Sequence, residues 1–123
     1  MPMFSLIQNL PGFAVGIVMI GEVTKKDFEE VLIPAVKAVS KEWKGINLLL
    51  VLETKLTNFT EGAWRKDIMT NLRYYWKWNK IGLVTKNTII EKTFSAFDLL
   101  IPGEVKIFSS DELNAAIVWI SEP

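Results

Sequence analysis

Polar side chains that could do chemistry stand where apolar runs of this sequence break off: Glu22, Glu53, Thr54, Thr85, Lys86 and Ser109. If those runs are strands of an open α/β sheet, these residues occupy its carboxyl edge, where such sheets bind ligands. There Lys86 could hold an anionic head group, and Glu53 a magnesium ion. A surface ion pair or a helix cap accounts for the same residues with no ligand. The chain has no histidine and no cysteine. Histidine is the commonest general base and metal ligand near neutral pH, and cysteine the strongest covalent nucleophile. Their absence removes zinc sites, iron–sulfur clusters, haem held by either residue, and Ser–His–Asp or Cys–His hydrolysis. The expectation is a chain without catalytic residues, resident metal or cofactor, and not an enzyme.

A second constellation is aromatic. Trp64, Tyr74, Tyr75, Trp76 and Trp78 crowd one stretch, and residues 61–92 carry Arg65, Lys66, Arg73, Lys77, Lys80, Lys86 and Lys92 against Glu61, Asp67 and Glu91. Trp and Tyr beside basic residues suit a headgroup-level membrane surface. On this reading Arg73, Trp76, Lys77, Trp78 and Lys80 form a membrane or partner surface. Ordinary core packing is the competing account, because Trp64, Ile68, Leu72 and Tyr75 recur at helical spacing. Residues 98–123 reverse the charge, with Asp98, Glu104, Asp111, Glu112 and Glu122 against Lys106. A basic middle and an acidic end could attract each other between subunits or steer a partner.

The 123 residues predict one domain. Apolar residues make up 50% of the chain, and 14 basic residues balance 14 acidic ones, as in a globular domain rather than a disordered one. Without histidine, essentially only the amino terminus titrates between about pH 5 and 8, so the pI near 6.3 lies on a shallow slope. A neutral chain with no Gly-rich phosphate loop and no recognition-helix signature argues against nucleic acid. The first basic residue is Lys25, so residues 1–21 lack the charged start of a secretory signal. The apolar runs at 13–20 and 48–52 fall short of the roughly 20 residues of a membrane helix. The expected location is the cytoplasm, with no transmembrane segment.

The elements that would position these residues follow from periodicity. Residues 3–10 and 13–23 read as strands joined by the Pro11-Gly12 turn, hence an antiparallel hairpin. Thr24-Lys25-Lys26-Asp27 resembles a capping box, and Phe28, Val31, Leu32, Ala35, Val39 and Trp43 form one apolar helical face. Pro34 inside that pattern predicts a kink or a split. Residues 46–53 form a third strand, whose unbroken Leu48–Leu52 run predicts burial on both faces. A loop spans 54–60, a long helix 61–78 and a fourth strand 80–85. Thr88-Ile89-Ile90-Glu91 is a second box, opening a helix to Ile101, which Pro102-Gly103 stops. Residues 105–108 form a fifth strand, and Ser109-Ser110-Asp111-Glu112 is a third box, opening the last helix to Ile120. The order β-β-α-β-α-β-α-β-α predicts an α/β fold: a mostly parallel five-stranded sheet with an antiparallel edge strand.

Several segments in this order resemble the SpoIIAA-like family of small bacterial proteins, whose fold is shared by STAS domains and lipid-carrying CRAL-TRIO domains. They are Phe28-Glu29-Glu30-Val31-Leu32-Ile33-Pro34, Ala63-Trp64-Arg65-Lys66-Asp67, Lys80-Ile81-Gly82-Leu83-Val84, and Pro102-Gly103-Glu104-Val105-Lys106-Ile107-Phe108 followed by Glu112, Ala115, Ala116 and Trp119. The resemblance covers nearly the whole chain as a single domain. It implies a binding or regulatory module, working through a protein partner or a homodimer. The CRAL-TRIO likeness implies a second reading, a carrier or sensor of an apolar small molecule or lipid, with peripheral membrane docking and a pocket at Phe59, Trp64, Ile68 and Tyr75. STAS relatives that antagonise anti-sigma factors are switched by phosphorylation of a serine after the third strand, typically in an Asp-Ser pair. The corresponding stretch, Glu53-Thr54-Lys55-Leu56-Thr57-Asn58-Phe59-Thr60, has no such pair. Thr57 and Thr60 are the nearest equivalents, and Asn58 or Thr60 is more simply a helix cap.

Overall fold

The structure, a computed structural model, describes residues 3–23, 25–56, 78–86 and 103–123. Five strands form one sheet: β1 (Met3–Leu6), β2 (Ala14–Val23), β3 (Ile46–Leu56), β4 (Trp78–Thr85) and β5 (Glu104–Phe108). Among the described residues two helices accompany them, α1 (Lys25–Ser40) and α2 (Leu113–Ser121), the second entered through a 3-10 turn, Ser110–Glu112. The strands lie in chain order, β1-β2-β3-β4-β5. β1 runs antiparallel to β2, and the other three pairings are parallel. The expected mixed α/β sheet with one antiparallel edge strand is therefore present. The expected helices at 61–78 (up to Trp78) and 88–101 lie outside the described residues.

The sheet buries both faces, and alternation along the strands sorts the core in two. Ile17, Met19, Leu48, Leu50, Leu52, Ile81 and Leu83 point to one face, which Leu32 and Val36 of α1 cover. Leu49, Val51, Val84 and Phe108 point to the other, against Ala116 and Ile120 of α2. Leu48–Leu52 is buried throughout, as its unbroken run predicted.

Several boundaries differ from the expectation. β1 stops at Leu6 rather than Leu10, because the chain turns through Asn9 in the left-handed region (φ 63°), which asparagine tolerates. Ile7 and Leu10 then fold onto the α2 side of the sheet. β3 continues past Glu53 to Leu56, kept in register by pairing with β2 as far as Val23. Pro34 does not split α1, which runs unbroken from Lys25 to Ser40. Pro34 is on the exposed side, where water can satisfy the carbonyl that loses its intrahelical partner. Trp43 lies beyond the helix end, 41% exposed. Its ring meets Phe13 edge-on at 5.7 Å and lies over Gly12, so it braces the hairpin loop instead of the helix face.

Candidate functional site

The carboxyl ends of β4 and β5 form an open cleft of about 520 Å³, lined by Thr85, Lys86 and residues 107–112. Three of the expected strand-end residues, Thr85, Lys86 and Ser109, meet here. Glu53 and Thr54 do not, because β3 carries them inside its paired length. Glu53 is exposed, and Glu22 sits in register with Lys55 on the neighbouring pair of strands. Among the described residues, no three acidic side chains gather into a metal-ligating group.

Local sequence builds the cleft wall. After β5, Ser109 takes an extended conformation (φ −75°, ψ 162°) and opens the 3-10 turn. Its N–H donates to Glu112 Oε1 at 2.9 Å, and the Glu112 N–H donates to the Ser109 carbonyl at 2.9 Å. The Ser109 hydroxyl lies 2.6 Å from Asp111 Oδ1 and 2.9 Å from Glu112 Oε1, and donates its single proton to one of the two at a time. The predicted box is thus formed, though it opens a 3-10 turn before the α-helix proper. The Ser109 hydroxyl holds the Asp111 carboxyl below its ordinary range, helped by its own backbone N–H and by the nearby Lys86. The Ser109 backbone N–H, then its hydroxyl, does the same for Glu112.

The ionised form of both carboxyls is thereby favoured. A pH dependence follows. Both folded pKa values lie below the ordinary 3.8 of Asp111 and 4.5 of Glu112. The stabilisation they bring is complete above the ordinary values and is lost as pH falls through the folded ones. In an NMR titration the Ser109 amide resonance should move with a midpoint below 4.5, and the turn should loosen only in stronger acid.

Trp78 and Lys80 correct the expected membrane or partner surface. Trp78 opens β4 instead of ending a helix and is 6% exposed, inside the α1-side core. Lys80 is 9% exposed. The β3–β4 register steps from Ile46↔Trp78 to Asn47↔Lys80, leaving Asn79 as an extra residue. Such a bulge re-aims the side chains on either side of it. Trp78 goes to the α1 side and Lys80 to the α2 side. There Lys80 Nζ donates to the Trp119 carbonyl at 2.9 Å and the Glu122 carbonyl at 3.1 Å, 4.9 Å from the Trp119 ring centroid. Arg73, Trp76 and Lys77 of the same expected surface lie outside the described residues. So do the pocket candidates Phe59, Trp64, Ile68 and Tyr75, and the threonines Thr57 and Thr60.

Sequence reasoning missed the partners of Lys80. Asn47, fully buried, donates through Nδ2 to the Ile120 and Glu122 carbonyls, both at 2.9 Å, and accepts from Asn79 Nδ2 at 3.1 Å. Together Asn47 and Lys80 hold the Trp119, Ile120 and Glu122 carbonyls at the end of α2, where helix carbonyls run out of intrahelical donors; Trp119 also accepts the N–H of the cap residue Glu122 at 3.4 Å. The signal was available: Asn47 is the lone polar residue of the apolar run 46–52, and such a group needs buried partners.

Among the described residues, no helix is long and apolar enough to cross a membrane. The family model described as SpoIIAA-like matches residues 14–121. The chain is similar in structure to an uncharacterised protein of the DUF3478 family with a SpoIIAA-like fold from Shewanella loihica PV-4. The TM-score is 0.61 at 18% identity, over 97% of this chain and 93% of that one. A search of curated proteins gives no match.

Proposed function

Because the chain belongs to the SpoIIAA-like family, we propose that it is a non-enzymatic binding or regulatory module that works through contact with another protein. One observation carries this reading beyond the family. The polar groups at the carboxyl ends of β4 and β5 are already tied to one another, Ser109 to Asp111 and Glu112, with the carboxyls held ionised. That arrangement supports the reading, because it presents charges and hydrogen-bonding groups that a partner surface can meet. Lys86 is exposed on the rim of the same cleft, where a charge steers and orients an approaching surface.

Photocrosslinking from position 86, followed by binding measurements with each purified captured protein, tests the reading. A genuine partner should bind the Lys86→Glu chain about tenfold more weakly, the effect of roughly 1.4 kcal/mol at an interface. Failure to capture any protein that binds saturably, or affinities indifferent to Lys86→Glu, would overturn it.

A further inference from the structure

The geometry points to β1 as a self-association edge, through which two copies of this chain join their sheets into one. This inference is separate from the partner-binding reading above, since self-association is measured on the purified chain alone.

Among the described residues, β1 is the last strand of the sheet on its side. The Ile7 N–H donates to the Gly16 carbonyl, and the register pairs Leu6 with Ile17 and Ser5 with Val18. In an antiparallel ladder the residues that exchange hydrogen bonds alternate with those that do not. Ile7 and Ser5 therefore turn their backbone groups toward β2, and Phe4 and Leu6 turn theirs outward. Those outward groups have no partner among the described residues. They form a short template for another strand.

The two outer edges of the sheet are unlike. β5 shows exposed Glu104 and Lys106, charges of the sort that keep an edge from pairing. β1 has none. Its sequence is Met-Phe-Ser-Leu, and the first charged residue of the chain is Glu22. Leu6 is 54% exposed.

A second copy is the occupant this edge fits best. A two-fold axis through Ser5 sets Phe4 opposite Leu6 of the partner subunit, and Leu6 opposite Phe4 of the partner subunit. All the outward backbone groups of Phe4 and Leu6 are then used. Each exposed Leu6 gains an aromatic cross-strand neighbour, a pairing that stabilises sheets. Because residues 3–21 carry no charge, the symmetric contact brings no like charges together, as an isologous interface requires. The two Leu6 side chains become diagonal neighbours across the axis.

Sedimentation velocity over a concentration series decides the matter. The native chain should move from 14.0 kDa toward twice that mass as concentration rises. Leu6→Lys and Leu6→Glu should each remain at 14.0 kDa with an unchanged circular dichroism spectrum, and an equal mixture of the two should associate again. Amide exchange provides the second reading, free of any substitution: the Phe4 and Leu6 amides gain protection as the native chain associates, and the Ser5 amide does not change. A native chain still monomeric at about 1 mM, a Leu6→Lys chain that associates like the native one, or association without protection of Phe4 and Leu6 overturns the proposal.

Discussion

Replacing Asn47 by alanine should cost about 3 kcal/mol of stability, read as a lowered urea midpoint at unchanged slope. The side chain is fully buried. Its amide satisfies two carbonyls at the end of α2, at 2.9 Å each, and its oxygen takes an N–H of Asn79. Truncation removes those bonds and leaves the Ile120 carbonyl without its side-chain donor and Asn79 Nδ2 without its acceptor, each worth about 1–3 kcal/mol when it cannot reach water. Lys80 shares the Glu122 carbonyl with Asn47. A double-mutant cycle with Lys80→Met should therefore show coupling, since groups with a common partner are not additive. A loss below about 1 kcal/mol for Asn47→Ala would mean that water reaches these carbonyls and that the contact does not hold the helix.

Gly103→Ala should be nearly as costly, about 2 kcal/mol. Gly103 has φ +116°, a conformation that residues with a Cβ rarely adopt, and an added Cβ would come within 2.7 Å of the Trp78 carbonyl oxygen. That oxygen belongs to backbone at the start of β4, so relief requires the strand to move. The next residue, Glu104, begins the pairing of β5 with β4, and the strain enters the sheet there. Gly45→Ala is the control. Its added Cβ would find only ordinary contact, 3.5 Å from Asn79 Cβ, and stability should change by less than about 0.5 kcal/mol. Thermal unfolding of the two variants side by side separates backbone strain from the general effect of removing a glycine.

The strands were legible because each is a run of apolar residues bounded by turn chemistry. The Leu48–Leu52 run announced burial on both faces, and both faces are covered. The Ser109–Glu112 box was legible because capping is local and needs only four residues. Pro34 does not split the helix, contrary to one of the two outcomes expected of it: its cost depends on which way the helix turns it, and sequence periodicity alone did not place it on the exposed side. Trp78 and Lys80 were assigned to a surface because an aromatic and a cation near a helix end look exposed. What buries them is the extra residue at Asn79, a mismatch between two strands that neither strand shows by itself. At the candidate site, three of the strand-end residues meet and Glu53 and Thr54 do not, since the end of β3 is set by pairing with β2. The aromatic pocket proposed from Phe59, Trp64, Ile68 and Tyr75 lies outside the described residues.

The fastening of α2 also constrains how the protein is made. Strands added in chain order can each pair with the one before, so the growing chain can extend its sheet during synthesis. The contact between Asn47 and Glu122 spans 75 positions, and it cannot close until residues 113–122 have left the ribosome. Until then Leu49, Val51, Val84 and Phe108 lack the helix that shields them. A nascent or prematurely terminated chain thus lacks the cover that α2 gives this apolar sheet face, and exposed apolar surface is what drives aggregation.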